Sequence, residues 1–306
     1  MGWLTTTRWI DTKCNNIEEA VDLIMLDNET LNKEGAIVYK NLIKEKAFAH
    51  TMVSDFNNQS ILYNLIQFKI DSVTPGDGVE EFRTTTINGL ILVYKVEGSV
   101  TYLINRNYDA LKLLRILCNY DGRGEILEDK TNMSSDMFMW FVKSVYNKET
   151  SFTFTQEDQT EKDLLIESIL GVRSETRDEN RLSAQGNTVM NLISTLSFIL
   201  ESDKINQLII RIEYSTHKVV EIKLTNGGVI SCDIDSYSGD YESLNLNDLT
   251  CKLLLLVYLE IVPNLKQVYY NDIDSADWGK DKKEEFFLNV KSELVSRLEE
   301  RSKSLQ

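Results

Sequence analysis

The sequence predicts an α+β protein in which antiparallel β-meanders pack with amphipathic helices and a long charged helix lies towards the C-terminal end. Three observations carry that prediction. Apolar and polar residues alternate over Leu208–Asp235, apolar residues recur at helical spacing in several other segments, and Lys282–Ser304 is a charged run with one apolar stripe. With 306 residues and 42% hydrophobic content, the chain can bury one large core or two ordinary ones. The polar stretch Asn147–Lys162 is the natural boundary, giving an N-terminal α+β domain over 1–150 and a C-terminal one over 160–306.

In chain order, Leu90–Glu97 and Ser99–Asn105 form a hairpin around Glu97-Gly98. A helix follows, capped by Asn107 and carrying Ala110, Leu111, Leu114, Leu117 and Cys118 on one side until Asp121-Gly122. Ser135–Tyr146 is a second helix, whose Phe138, Trp140 and Phe141 belong to a core. Thr188–Ser202 reads as a buried amphipathic helix.

Over Leu208–Asp235 only one register separates polar from apolar side chains. Loops at Ser215-Thr216-His217 and Asn226-Gly227-Gly228 stack Leu208, Leu224 and Ile230 in one row. Ile210, Ile222 and Cys232 form the next, and Ile212, Val220 and Ile234 the third. Leu249–Val262 then reads as a central helix, started by Asn247 or Asp248 and ended by Pro263. The final helix presents Phe287, Val290, Leu294 and Leu298, with Arg297 interrupting a coiled-coil heptad.

The formal net charge of −15 and a pI near 4.7 give a surface that repels phosphate backbones and anionic membranes. Cys14, Cys118, Cys232 and Cys251 are far apart and read as core residues, and with only His50 and His217 and no C-x-x-C pair a Cys/His zinc site is not expected. The N-terminus lacks a continuous apolar leader and no run approaches the roughly 20 residues that span a bilayer, so a cytoplasmic protein is expected.

Two constellations are candidates for function. The outward side of the meander brings Arg211, Glu221 and Asp233 together, with Lys223 and Ser231 one row along. Glu221-Ile222-Lys223 matches the Glu-x-Lys strand of a divalent-metal nuclease, in which Glu221 ligates Mg²⁺ or Mn²⁺ and Lys223 steadies phosphate charge. Asp233, Asp203 or Glu213 would add the second carboxylate. The same residues also make a charge ladder in which Arg211 relieves the Glu221/Asp233 repulsion.

The other constellation is Arg173, Arg177 and Arg181, which line one face if Gly171–Leu182 is helical and could grip phosphates of a nucleic acid or another anion. The carboxylates Asp233, Asp235 and Asp240, and Asp272, Asp274, Asp277 and Asp281, do not meet calcium-loop spacing.

The reading expected from these features is a non-catalytic binding or regulatory component without a cofactor. It would recognise a protein partner, or a second copy of itself, through the 282–304 helix, or a nucleic acid through the arginines. The abundance of Asn, Lys and Ile suits an AT-rich prokaryotic or phage genome, and bacterial antiviral defence is the setting that this association suggests. The alternative is the Glu221/Lys223/Asp233 nuclease.

Overall fold

The computed structural model describes residues 2–27, 37–122, 124–155, 161–176, 181–186, 197 and 200–303. It is an α+β protein of two compact units. One comprises Leu4–Thr131 with Asn245–Lys252, the other Met1–Trp3, Asn132–Leu244 and Leu253–Gln306. The polar stretch Asn147–Lys162 lies inside the latter and contains a strand, Ser151–Thr155.

The unit containing Leu4–Thr131 is built on β1 (Trp3–Asp11), β2 (Val38–Lys46), β3 (Met52–Phe56), β4 (Gln59–Val73), β5 (Thr84–Val96), β6 (Ser99–Ile104) and β7 (Ile126–Glu128). Its antiparallel order is β1-β6-β5-β4-β2, with β3 also on β4 and β7 on β1. Helices α1 (Ile17–Met25) and α3 (Ala110–Leu117) lay Ile17, Ile24, Leu113 and Leu117 against Ile91 and Tyr102 of the sheet, and α2 (Glu80–Arg83) is a single turn between β4 and β5. Val96 pairs with Ser99 across a two-residue turn in which Glu97 and Gly98 take φ of 50° and 82°. That conformation is why Gly follows Glu there.

The other unit contains α4 (Ser135–Asn147), β8 (Ser151–Thr155), β9 (Glu161–Thr176), β10 (Arg181–Gln185), β11 (Ser202–Tyr214), β12 (His217–Thr225) and β13 (Ile230–Asp233). These strands run β10-β9-β11-β12-β13, with β8 on β9. The next helix, α5 (Leu246–Leu256), continues through a π-helical turn, Val257–Ile261, into α6 (Val262–Asp274), and α7 spans Lys280–Lys303.

The meander has the expected rows. Leu208 pairs with Leu224 and Leu224 with Ile230, Ile210 with Ile222 and Ile222 with Cys232, and Ile212 with Val220. All of these are buried, as is Ile234, which lies one residue past β13. The second loop is Asn226–Gly228, with Gly228 at φ 80° and Thr225 and Val229 hydrogen-bonded across it. The first differs from expectation. His217 pairs with Tyr214, leaving a two-residue turn, and a one-residue shift between Ile212 and Tyr214 restores the rows.

Other boundaries also differ. Gly171–Leu182 is not helical: its described residues are strands, because β-branched and aliphatic residues from Leu164 to Val172 extend β9 through Thr176. Asn107 does not cap α3 with its side chain. Asp109 occupies the N-cap, and its carboxylate is held by Arg106 instead (Nε–Oδ1 3.0 Å, Nη2–Oδ2 2.6 Å). The cap of α5 is Asn245, whose Oδ1 accepts from the Asn247 and Asp248 amides at 3.1 Å each. Pro263 does not end that helix, because the wider π-helical turn before it accommodates the proline, which lacks an N–H and would crowd the carbonyl of Leu259 in a regular helix. On α7, Phe286 rather than Phe287 is buried with Val290 and Leu294, and Leu298 faces solvent. The helix expected over Thr188–Ser202 lies mostly outside the described residues, and β11 begins at Ser202.

Candidate functional site

The meander brings together most of the side chains that its register predicts. Arg211 on β11 stands opposite Glu221 on β12 and opposite Ser168 on β9. Its Nε and Nη2 both donate to Glu221 Oε1, at 3.0 and 2.7 Å, and Nη1 lies 3.9 Å from Glu167 Oε1. Lys223 stands opposite Ile209 and Ser231 and places its ammonium 4.7 Å from the centre of the Trp3 ring. Asp233, the last residue of β13, turns away to the following loop, where its Oδ1 accepts from the Asp235 amide at 3.2 Å. Asp203 and Glu213 both lie on β11.

This side of the sheet is partly covered. Glu221, Ser231 and Ile209 are buried, and only part of Arg211 reaches solvent. A carboxylate in such surroundings needs a charged partner, which the guanidinium supplies. The arrangement therefore neutralises Glu221 where it sits, while the Lys223 charge is spent on an aromatic face. Among the described residues, no three His, Cys, Asp or Glu side chains cluster closely enough to hold a metal ion.

Arg173 and Arg181 fall on strands. Arg173, on β9, is exposed and stands opposite Ser183. Arg181 begins β10 opposite Glu175, and Arg177 lies outside the described residues. Arg173 and Arg181, both on strands, therefore do not share a helical face, and the register sets a carboxylate-bearing residue opposite Arg181.

Two polar clusters were not legible from spacing. In the first, Glu260 of the π-helical turn is buried and accepts from Lys162 Nζ at 2.7 Å. Asn264 Nδ2 donates to Tyr214 Oη at 3.1 Å beside them. Burial, and then the Glu260 charge, push the Tyr214 phenol up, so it stays protonated. The available signal was a lone carboxylate inside an apolar helical run. In the second, Asp136 at the start of α4 accepts from Tyr269 Oη at 2.7 Å, from Trp278 Nε1 at 2.9 Å and from Lys283. Burial works to raise its pKa, and these donors together hold it below the usual carboxylate value. Three helices, α4, α6 and α7, meet through that one carboxylate and through the bond from Trp140 Nε1 to Asp272 (2.7 Å).

A cavity of about 380 Å³ opens nearby, but its lysines are already matched, Lys143 by Glu149 and Lys282 by Glu285. It offers no free cationic wall for an anion.

Compared with known proteins, the chain matches no family model and shows no significant similarity to a curated protein.

Proposed function

We propose that the protein is a non-catalytic binding component that recognises a protein partner through the outer face of α7. The observation that supports this reading is a division of that helix into two apolar faces. Phe286, Val290 and Leu294 are buried against its own unit. On the other side, Leu288 and Val295 are 61% and 47% exposed, while Leu298, 58% exposed, flanks the buried stripe one turn beyond Leu294. At 100° per residue, Leu288 and Val295 point almost opposite to the Phe286/Val290/Leu294 stripe.

A helix that needed only to pack on its own domain would carry polar residues there. Helix-in-groove recognition uses anchors at this kind of spacing. A net charge of −15 favours a protein over a nucleic acid as the main partner, leaving Arg173 as the start of any local polyanion contact.

Differential co-purification tests the reading. The full chain and its Leu288→Glu/Val295→Glu variant are each used as bait in extracts of source cells, with sedimentation velocity reporting self-association. The reading expects a stoichiometric partner, or a second copy, that is lost with the variant. Identical co-purified sets and identical sedimentation would contradict it.

A further inference from the structure

A second surface lies on the other unit, at the end of the β4–β5 hairpin. β6 pairs with β5 only from Ile91 to Val96. Thr84–Gly89 therefore runs past it with β4 on one side, and β2 flanks the same stretch of β4. Six residues of strand extend about 20 Å.

The extension is stiff. Asp71 on β4 accepts from Thr86 Oγ1 of β5 at 2.6 Å and from Asn41 Nδ2 of β2 at 2.7 Å, joining three strands through one carboxylate. The Phe68 ring covers Gly89 so closely that a Cβ there would come within 2.2 Å of it.

The tip is fixed as well. Arg83 donates from Nε to the Gly78 carbonyl at 2.8 Å and from Nη1 to the Thr74 carbonyl at 2.5 Å. Thr84 Oγ1 caps the Glu80 carbonyl at 2.8 Å, and Lys40 of β2 binds the Glu80 carboxylate. The one arginine of the tip is thus directed inward. Outward stand Val79 and Phe82, 64% and 87% exposed, with Asp77, Glu80 and Glu81 around them.

An aromatic side chain carried on a turn whose backbone is held in place costs little backbone ordering on binding, which suits an interface anchor. Asp77 and Glu81, the acidic residues of the tip besides the Lys40-bound Glu80, disfavour an anionic lipid surface or a nucleic acid and favour a cationic rim. We infer that the β4–β5 tip is a docking knob, with Phe82 as its anchor, for a protein partner that presents an apolar pocket rimmed by Lys and Arg. It is separate from the α7 face and stands or falls independently of it.

The test uses the full chain with Val79→Cys carrying a maleimide-linked benzophenone, irradiated in source-cell extract. The expected result is a discrete adduct whose cross-linked peptide in the partner lies beside clustered Lys or Arg. Its yield should fall about tenfold or more with an added Phe82→Asp, and should decline as salt rises. Phe82→Asp should leave the thermal midpoint unchanged, since the side chain is exposed. An adduct with a second copy of this chain, flotation of the protein with anionic vesicles in a Phe82-dependent way, an adduct indifferent to Phe82→Asp, or no adduct would each overturn the inference.

Discussion

Arg211 donates two hydrogen bonds to a single oxygen of Glu221, the residue directly across the β11–β12 ladder from it. The Glu221 side chain is 11% exposed, so removing the guanidinium leaves a carboxylate without its main compensation. Arg211→Ala should destabilise the protein by about 1–3 kcal/mol, and Arg211→Ala/Glu221→Ala should recover part of that loss. Urea midpoints of the four proteins in the cycle measure it. Strict additivity would show that the pair is not coupled.

Leu255 of α5 is fully buried, and truncation would empty a space that a packed helix cannot close. Leu255→Ala should cost about 2–5 kcal/mol. An unchanged denaturant midpoint would contradict the burial.

The cysteines Cys14, Cys118, Cys232 and Cys251 are all free and buried. Burial pushes the Cys14 thiol up to about 11 and the Cys232 thiol up to about 12, and raises the other two further. At mildly alkaline pH these groups remain neutral and shielded, and only thiolates react. Ellman's reagent should label all four after unfolding and none rapidly before it. Fast labelling of Cys251 in the native protein would refute the placement of α5.

His217 supplies a pH dependence. Tyr237 Oη accepts from the Tyr241 amide at 3.1 Å and lies 2.6 Å from His217 Nδ1, a contact whose donor is set by the imidazole tautomer. Burial lowers the His217 pKa from 6.5, opposed by the charges of Asp240 and Glu260 and assisted by Lys162. The unfolded chain then takes up the proton first as pH drops, so this contribution is present above pH 6.5 and is lost as pH falls through the lowered folded value. The difference in urea midpoint between wild type and His217→Gln should shrink as pH falls below 6.5. A difference that stays constant, or grows, would show that the neutral ring is not what the fold selects.

The meander was legible because a period of two leaves one register that buries Leu208, Ile210 and Ile212 together. The Glu97-Gly98 hairpin was legible because that turn needs two residues with positive φ. By contrast, Arg173 to Arg181 has charges at both helical and strand-compatible spacings, and it is the pairing of β9 with β11 and β10 that makes the described residues strand.

At Pro263 local chemistry forecasts a helix end, whereas the chain continues through a π-helical turn in which Glu260 binds Lys162, a residue 98 positions away that spacing does not reveal. The Asp136 hub unites residues over 130 apart in sequence, a separation at which spacing carries no signal.

Any polyanion contact should centre on the arginines and be weak. Arg173→Ala/Arg177→Ala/Arg181→Ala should abolish salt-sensitive binding of DNA or RNA, while Lys282→Ala/Lys283→Ala should leave it intact, since Lys282 pairs with Glu285 and Lys283 with Asp136. Filter binding across a salt titration measures both. Equal binding by the triple variant would make the arginines ordinary surface.

Docking of a protein on the outer face of α7 can be read out by site-specific cross-linking at Val295. A photoreactive amino acid placed there in the full chain should yield an intermolecular protein adduct in source-cell extract, and the yield should collapse when Leu288→Glu is added while the circular dichroism spectrum is preserved. If position 295 gives no adduct beyond that from the same label at exposed Asn58, or if the adduct is indifferent to Leu288→Glu, the face is solvent-exposed surface and the claim is wrong.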